Sequence, residues 1–218
     1  MELKKADFQL FHRTHFAFKQ LKAELSEVEI ASLKNEYQQH WQHWKLLQLT
    51  VAENLPEGFA MNKPKIESWT NGWNLRNHFW CAYRSENRQK ENACLATLLN
   101  RKQYQVYVMF QHYQSEKRKG SPEAYNQLLE LLPQWSQNVD LENYYIWPKS
   151  EDELADHLPL TTYLADEQVQ KEFRNSLKGE TFQLGKLFFE GEISQAEQIT
   201  MATLQELMPL YQSLAEGE

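Results

Sequence analysis

Glycine is scarce, with seven among 218 residues. Loops that cradle phosphates need several glycines so that the backbone can come close, and neither G-x-G-x-x-G nor G-x-x-x-x-G-K-[ST] occurs. The G-x-S-x-G elbow of serine hydrolases and the H-E-x-x-H pair of zinc proteases are also missing. Cysteine is scarcer still. Cys81 and Cys94 form neither a disulfide framework nor a zinc ligand set, and both sit among apolar neighbours, where Cys acts as a small core residue. There is no long apolar run, so no segment reads as a membrane span. Lys4 and Lys5 are followed by no apolar stretch, so the start does not read as a signal peptide, and a cytoplasmic location is expected. The prolines are scattered, with no linker, repeat or low-complexity tract between them. One domain over residues 1–218 is expected.

Charge is present but unevenly placed. The chain carries −7 overall, yet residues 61–120 hold eleven Lys and Arg against four Asp and Glu, with nine aromatics interleaved. Residues 121–218 reverse the balance, with five basic and eighteen acidic side chains. A basic, aromatic centre in an acidic protein suggests a surface for an anionic partner.

Periodicity supplies the elements. Ser26 and Glu29 have capping-box spacing, and Ile30, Leu33, Tyr37, Trp41, Trp44, Leu47 and Val51 recur in steps of three or four. Together they predict a long helix closed by Pro56 and Gly58. Ser121 with Pro122 predicts a helix running through Trp135, and Thr162 to Leu177 predicts another before Gly179. Ser194 and Glu197 form a second capping-box spacing at the terminal helix, which Pro209 should kink or end. Strands are expected over Arg76 to Arg84, Cys94 to Leu99, Gln103 to Tyr113, Tyr144 to Trp147 and Phe182 to Phe189. Tyr104, Val106, Val108 and Phe110 share the core face. The expected fold is α+β: a mainly antiparallel sheet of about five strands, packed with a long N-terminal helix and a C-terminal helix.

The stretch from Trp69 to Arg84 is dense in large polar and aromatic side chains. Asn71-Gly72 predicts a turn, and period-two alternation then puts Arg76, His78, Trp80 and Arg84 on one face. A guanidinium binds phosphate or carboxylate through two N–H groups, and a Trp face offers a platform for a ring. The candidate ligand site is therefore Asn71, Trp73, Arg76, His78, Trp80 and Arg84. Its partner would be an anionic small molecule, such as a nucleotide, or a single-stranded nucleic acid. Two other readings stand beside this one. In the first, His78 and an acid from the C-terminal part perform acid–base chemistry on a phosphorylated small molecule. In the second, Arg76 and Arg84 pair with C-terminal acids while Trp69, Trp73 and Trp80 fill the core. Arg101-Lys102 and Lys117-Arg118-Lys119 either extend the basic surface or are solvated turns. His12 with His15, and His40 with His43, have the spacing of helical metal pairs but no accompanying acid motif, so no metal and no cofactor is expected.

Over Trp69-Thr70-Asn71-Gly72-Trp73 and Arg76-Asn77-His78-Phe79-Trp80-Cys81, and in overall length, the chain resembles a family of short bacterial proteins. Some members of that family bear the label glucose-6-phosphate 1-dehydrogenase. That label implies a dinucleotide-binding N-terminal unit with a glycine-rich turn, whereas this chain opens on a helix-rich segment without one. No catalytic residue transfers from it.

Overall fold

Ser26 opens the longest element as its spacing predicts. In the computed structural model, which describes residues 1–56 and 63–214, the Ser26 hydroxyl accepts from the Glu29 amide at 3.3 Å. The Glu29 carboxylate accepts from the Ser26 amide at 2.8 Å in return. The helices are α1 (Lys5–Gln9), α2 (Phe18–Glu24), α3 (Glu27–Asn54), α4 (Pro122–Asn126), α5 (Leu132–Trp135), α6 (Leu160–Ala165), α7 (Glu167–Leu177) and α8 (Ala196–Ser213). The strands are β1 (Lys65–Ile66), β2 (Thr70–Asn71), β3 (Asn74–Leu75), β4 (Phe79–Tyr83), β5 (Ala93–Leu99), β6 (Gln103–Phe110), β7 (Tyr144–Pro148), β8 (Leu158–Pro159) and β9 (Phe182–Phe189). Gly58, expected to help close α3, lies outside the described residues.

One antiparallel sheet runs in the order β1-β4-β5-β6-β9-β7-β8, and β2 and β3 form a separate hairpin. Its five long strands are those the alternation predicts, and β1 and β8 add a two-residue strand at each edge. Among the described residues every strand pairing is antiparallel, unlike the parallel βαβ sheet that holds dinucleotides.

The two faces of the sheet differ. The inner face presents Phe79, Cys81 and Tyr83 from β4, Leu95 and Leu99 from β5, and Tyr104, Val106, Val108 and Phe110 from β6. These pack against Tyr37, Trp44, Leu47 and Val51 of α3 and Leu204, Leu207 and Tyr211 of α8. Rings meet edge to face there, as with Trp44 on Tyr104 at 6.0 Å and Phe11 on Phe79 at 5.0 Å. The outer face carries a smaller cluster of Trp80, Ala82, Cys94, Ala96, Leu98, Tyr107, Met109, Trp147 and Leu187.

Three helix expectations change. The helix predicted from Thr162 to Leu177 is two, because the Asp166 carboxylate accepts from the Gln168 and Val169 amides and starts α7 afresh. The one predicted through Trp135 is α4 and α5 with tighter turns between, since Pro133 has no N–H with which to continue the ladder. No capping box forms at α8: its N-cap is Gln195, and Glu197 instead meets the N-terminal ammonium at 3.4 Å and Asn54 at 3.1 Å. This last helix also runs through Pro209 to Ser213. The carbonyl that Pro209 leaves unpaired belongs to exposed Gln205, while buried Met208, Leu210 and Tyr211 hold the final turns against the core.

Candidate functional site

The outer face is only partly covered. From Lys149 the chain turns back across it as a strap ending at His157. The Lys149 amide donates to the Thr181 carbonyl at 2.8 Å where the strap begins. At the other end the Lys102 ammonium donates to the carbonyls of Leu154 (2.9 Å) and Ala155 (2.6 Å) and to Asp156 Oδ1 (2.7 Å). Gln103 and Gln105 donate to Glu153, and His157 stacks on Trp147 at 4.6 Å while its Nδ1 bonds Glu151. Beside the strap, over β4, β5 and β6, a hollow of ≈ 1030 Å³ remains. That is the size of a small-molecule site.

Register builds the floor of this hollow. Trp80 lies opposite Leu98, and Ala82, Ala96, Tyr107 and Gly185 form the next row. A side chain at Gly185 would collide with the Val106 carbonyl and with Tyr107, so glycine alone lets Tyr107 take its place in that row. The Tyr107 hydroxyl accepts from Trp80 Nε1 at 3.1 Å and fixes the indole.

One wall is Glu67, Arg76 and His78. Glu67 is fixed through its backbone, its amide donating to the Trp80 carbonyl at 3.0 Å and its carbonyl accepting from Trp41 Nε1 at 2.8 Å. Its carboxylate meets the Arg76 guanidinium at 2.6 Å. His78 Nδ1 lies 2.8 Å from Asn77 Oδ1. In the tautomer that lets Nδ1 donate to that oxygen, Nε2 keeps its lone pair. Burial, then the positive charges of Arg76 and Lys149, hold the His78 pKa down at about 4. The opposite wall is the strap, where Lys149 pairs with Glu153 at 3.6 Å. His112 also lines the hollow and bonds Thr181 Oγ1 at 2.7 Å. Burial lowers its pKa, Glu180 opposes this and Lys149 adds to it.

Asn71, Arg76, His78 and Trp80 line the hollow together. Trp73 and Arg84 do not. Trp73 stands at the tip of the β2–β3 hairpin, 86% exposed, because Gly72 at φ 59° turns the chain there. Arg84 is buried just past the end of β4, outside the lining, where it donates to the Glu91 carbonyl at 3.0 Å and to Gln111 Oε1 at 2.7 Å. The two guanidinium groups therefore do not open side by side. The core-filling alternative changes as well: Arg76 pairs with Glu67 from the basic region, Arg84 has no carboxylate partner among the described residues, and Trp69 and Trp80 are packed while Trp73 is not. The histidine pairs take local partners. His12 contacts the Arg101 carbonyl at 3.0 Å and Glu190 at 3.5 Å, His15 contacts Glu24 at 2.5 Å, and His40 and His43 contact Asp7 at 2.6 and 3.7 Å.

Lys149, Gln111, Tyr107 and Gln183 also line the hollow and were not singled out in the sequence. Gln103, Gln105 and Gln183 interrupting apolar strands were the available signal, since a polar residue on a strand's second face marks a face that is not pure core.

Fold and hollow together define an α+β protein with one antiparallel sheet, helices on the inner face and a strapped, partly open outer face. A protein-family model matches residues 3–214, and the chain belongs to that family. It is also similar to an uncharacterised protein of Haemophilus influenzae, 31% identical over 206 residues that cover 93% of each chain. A bacterial relative of the same length agrees with the resemblance noted above, whereas its sugar-phosphate dehydrogenase part has no counterpart in these matches.

Proposed function

We propose that the hollow binds a small anionic molecule bearing a flat ring, of the nucleotide or sugar-phosphate-linked aromatic kind. One observation carries this reading. Arg76 and Lys149, from opposite walls, stand close enough to His78 that both depress its pKa, so two cations converge on one uncharged imidazole inside a concave site. Arg84 adds to the field through Gln111, because a buried guanidinium whose partners among the described residues are Gln111 and a carbonyl is poorly screened. Trp80, Tyr107 and Tyr113 supply ring surface beside these charges.

The carboxylates of Glu151, Asp152 and Glu153 on the strap would repel a long polyanion, which favours a small molecule over a nucleic-acid strand. The lone pair on His78 Nε2 supports a second reading, in which the bound molecule also gives up a proton there.

A thermal-shift screen of nucleotides, sugar phosphates and oligonucleotides at low and high salt tests the proposal. A ligand at about a hundred times its Kd adds about 2.7 kcal/mol to the folded state, a rise of several degrees for a chain of this size. Arg76→Ala should abolish that rise yet cost the free protein less than about 1 kcal/mol, since its partner Glu67 is partly solvated. No rise with any anionic compound sinks the proposal. A large loss of stability in the variant would make the ion pair structural.

A further inference from the structure

Gln183 is 0% exposed, lines the hollow, and has no hydrogen-bond partner among the described residues for either Nε2 or Oε1. Its cross-strand neighbour Trp147, equally buried, has no partner for Nε1 among the described residues. Buried amides are almost always bonded, because an unmade bond in a dry interior costs the full desolvation of the group. Gln48 on the inner side lacks a partner for Nε2 among the described residues but uses its oxygen, which accepts from Tyr83 at 2.6 Å and Thr97 at 2.8 Å; Gln183 uses neither atom. Retaining an unpaired amide at a concave site is the kind of local penalty that functional sites tolerate.

The unpaired groups define what would satisfy them. A carboxamide presents a donor and an acceptor side by side in one plane. A carboxylate or phosphate would engage Nε2 and leave Oε1 facing another acceptor, and an apolar ring would engage neither. A sugar hydroxyl could bond both but brings no flat face to Trp80, Tyr107 and Met109. A nucleobase edge has a donor beside an acceptor in the plane of an aromatic ring, and glutamine pairs with such an edge through two bonds. Position agrees with this. Gln183 lies opposite Trp147, and Lys149, two residues on and just past the end of β7, bonds the Thr181 carbonyl and lines the same hollow. Gln183 and Lys149 are thus diagonal neighbours, roughly 7–8 Å apart at the backbone, within the span of one nucleoside monophosphate.

We infer that the ligand is a nucleoside monophosphate whose base edge pairs with the Gln183 carboxamide while Arg76 and Lys149 hold its phosphate. The inference rests on the anion-binding reading above and adds the identity of the other end. Calorimetric titration of the full chain with UMP, AMP, ribose 5-phosphate and inorganic phosphate tests it, using the natural protein and Gln183→Met. The natural protein should bind at least one nucleotide about tenfold or more tighter than ribose 5-phosphate. Gln183→Met should erase that preference and leave ribose 5-phosphate affinity unchanged. Without ligand, the variant should melt about 2–4 °C higher, because an unpaired buried amide has been replaced by an apolar chain of similar length. Equal affinity for nucleotide and ribose 5-phosphate overturns the base-pairing inference alone, as does a preference that survives in Gln183→Met or a lower melting point for that variant. Failure of every phosphate compound to bind overturns the anion-binding reading and this inference with it.

Discussion

The two faces of one sheet are built from the same strands and residues of alternating parity, yet they are covered differently. On the inner face, Phe79, Tyr83, Tyr104 and Val106 meet α3 and α8 and are almost wholly removed from water. On the outer face, Trp80, Tyr107 and Met109 are joined by Gln105, Gln111 and Gln183, and a strap rather than helices covers part of them. Apolar burial stabilises in proportion to area, so the inner face carries most of the folding free energy. The outer face has spare polar capacity and room. Most of the stability thus sits on one face, and the room for the proposed site lies on the other.

Adjacent residues allow that division to be tested. Phe79→Ala on the inner face should cost about 3–5 kcal/mol, read as a lower urea midpoint with little change in slope, because it opens a cavity between α3 and β4. A cost below about 1 kcal/mol would mean that the helical side is not the stabilising one.

The next effect lies where the N-terminal segment is fastened to α3. Burial opposes the charge on Asp7, but hydrogen bonds from His40, His43 and the Lys4 amide outweigh it and hold its carboxyl below the usual range. The same contact raises the pKa of His40. Asp7 therefore contributes stability above its unfolded pKa that is lost as pH falls through its lower folded value. The His40 contribution is complete below 6.5 and is lost as pH rises through its raised value. Asp7→Asn should cost about 2 kcal/mol at pH 6 and progressively less at strongly acid pH, measured by urea unfolding across the pH range. It should leave unchanged any rise in melting temperature that anionic compounds cause at the site proposed on the outer face.

His78 should give the smallest effect. Its folded pKa of about 4 lies below the ordinary 6.5, so between those values the unfolded chain takes up the proton first. Stability then falls as pH drops from 6.5 towards 4 and is unaffected by this group above 6.5. His78→Asn should remove that share; the full shift corresponds to roughly 3 kcal/mol, which solvent around this half-buried side chain screens to about 1 kcal/mol, a difference in melting temperature of about 2–4 °C at the acid end. An unchanged acid slope would show that His78 is not held neutral by its surroundings.

Much of the inner half could be read in advance because it is periodic. The capping box at Ser26 and Glu29, the apolar steps along α3 and the alternation of β6 each report burial on one side. Where local signals competed, neighbours decided. Ser194 and Glu197 have capping-box spacing, but the N-terminal ammonium and Asn54 draw Glu197 away, and α8 begins at Ala196. The site was half legible for the same reason. Alternation put Arg76, His78 and Trp80 on one side, but it could not tell that Arg84 is tied to Gln111 and buried outside the lining or that Gly72 turns Trp73 out to solvent.

The amino-acid order by itself determined the α+β class, the five long strands, the capped helix from Ser26 and the basic, aromatic character of the central stretch. Each is a property of residues near one another along the chain, where propensity, capping and alternation act. Only the tertiary structure decided that Lys149 and Gln183, far along an otherwise acidic segment, face Arg76 and His78 across a shared hollow. That meeting depends on β9 entering the sheet between β6 and β7 and on the strap folding back from Pro148. Pairings of such sequence separation are set by the burial of the whole sheet, which no short window of residues records.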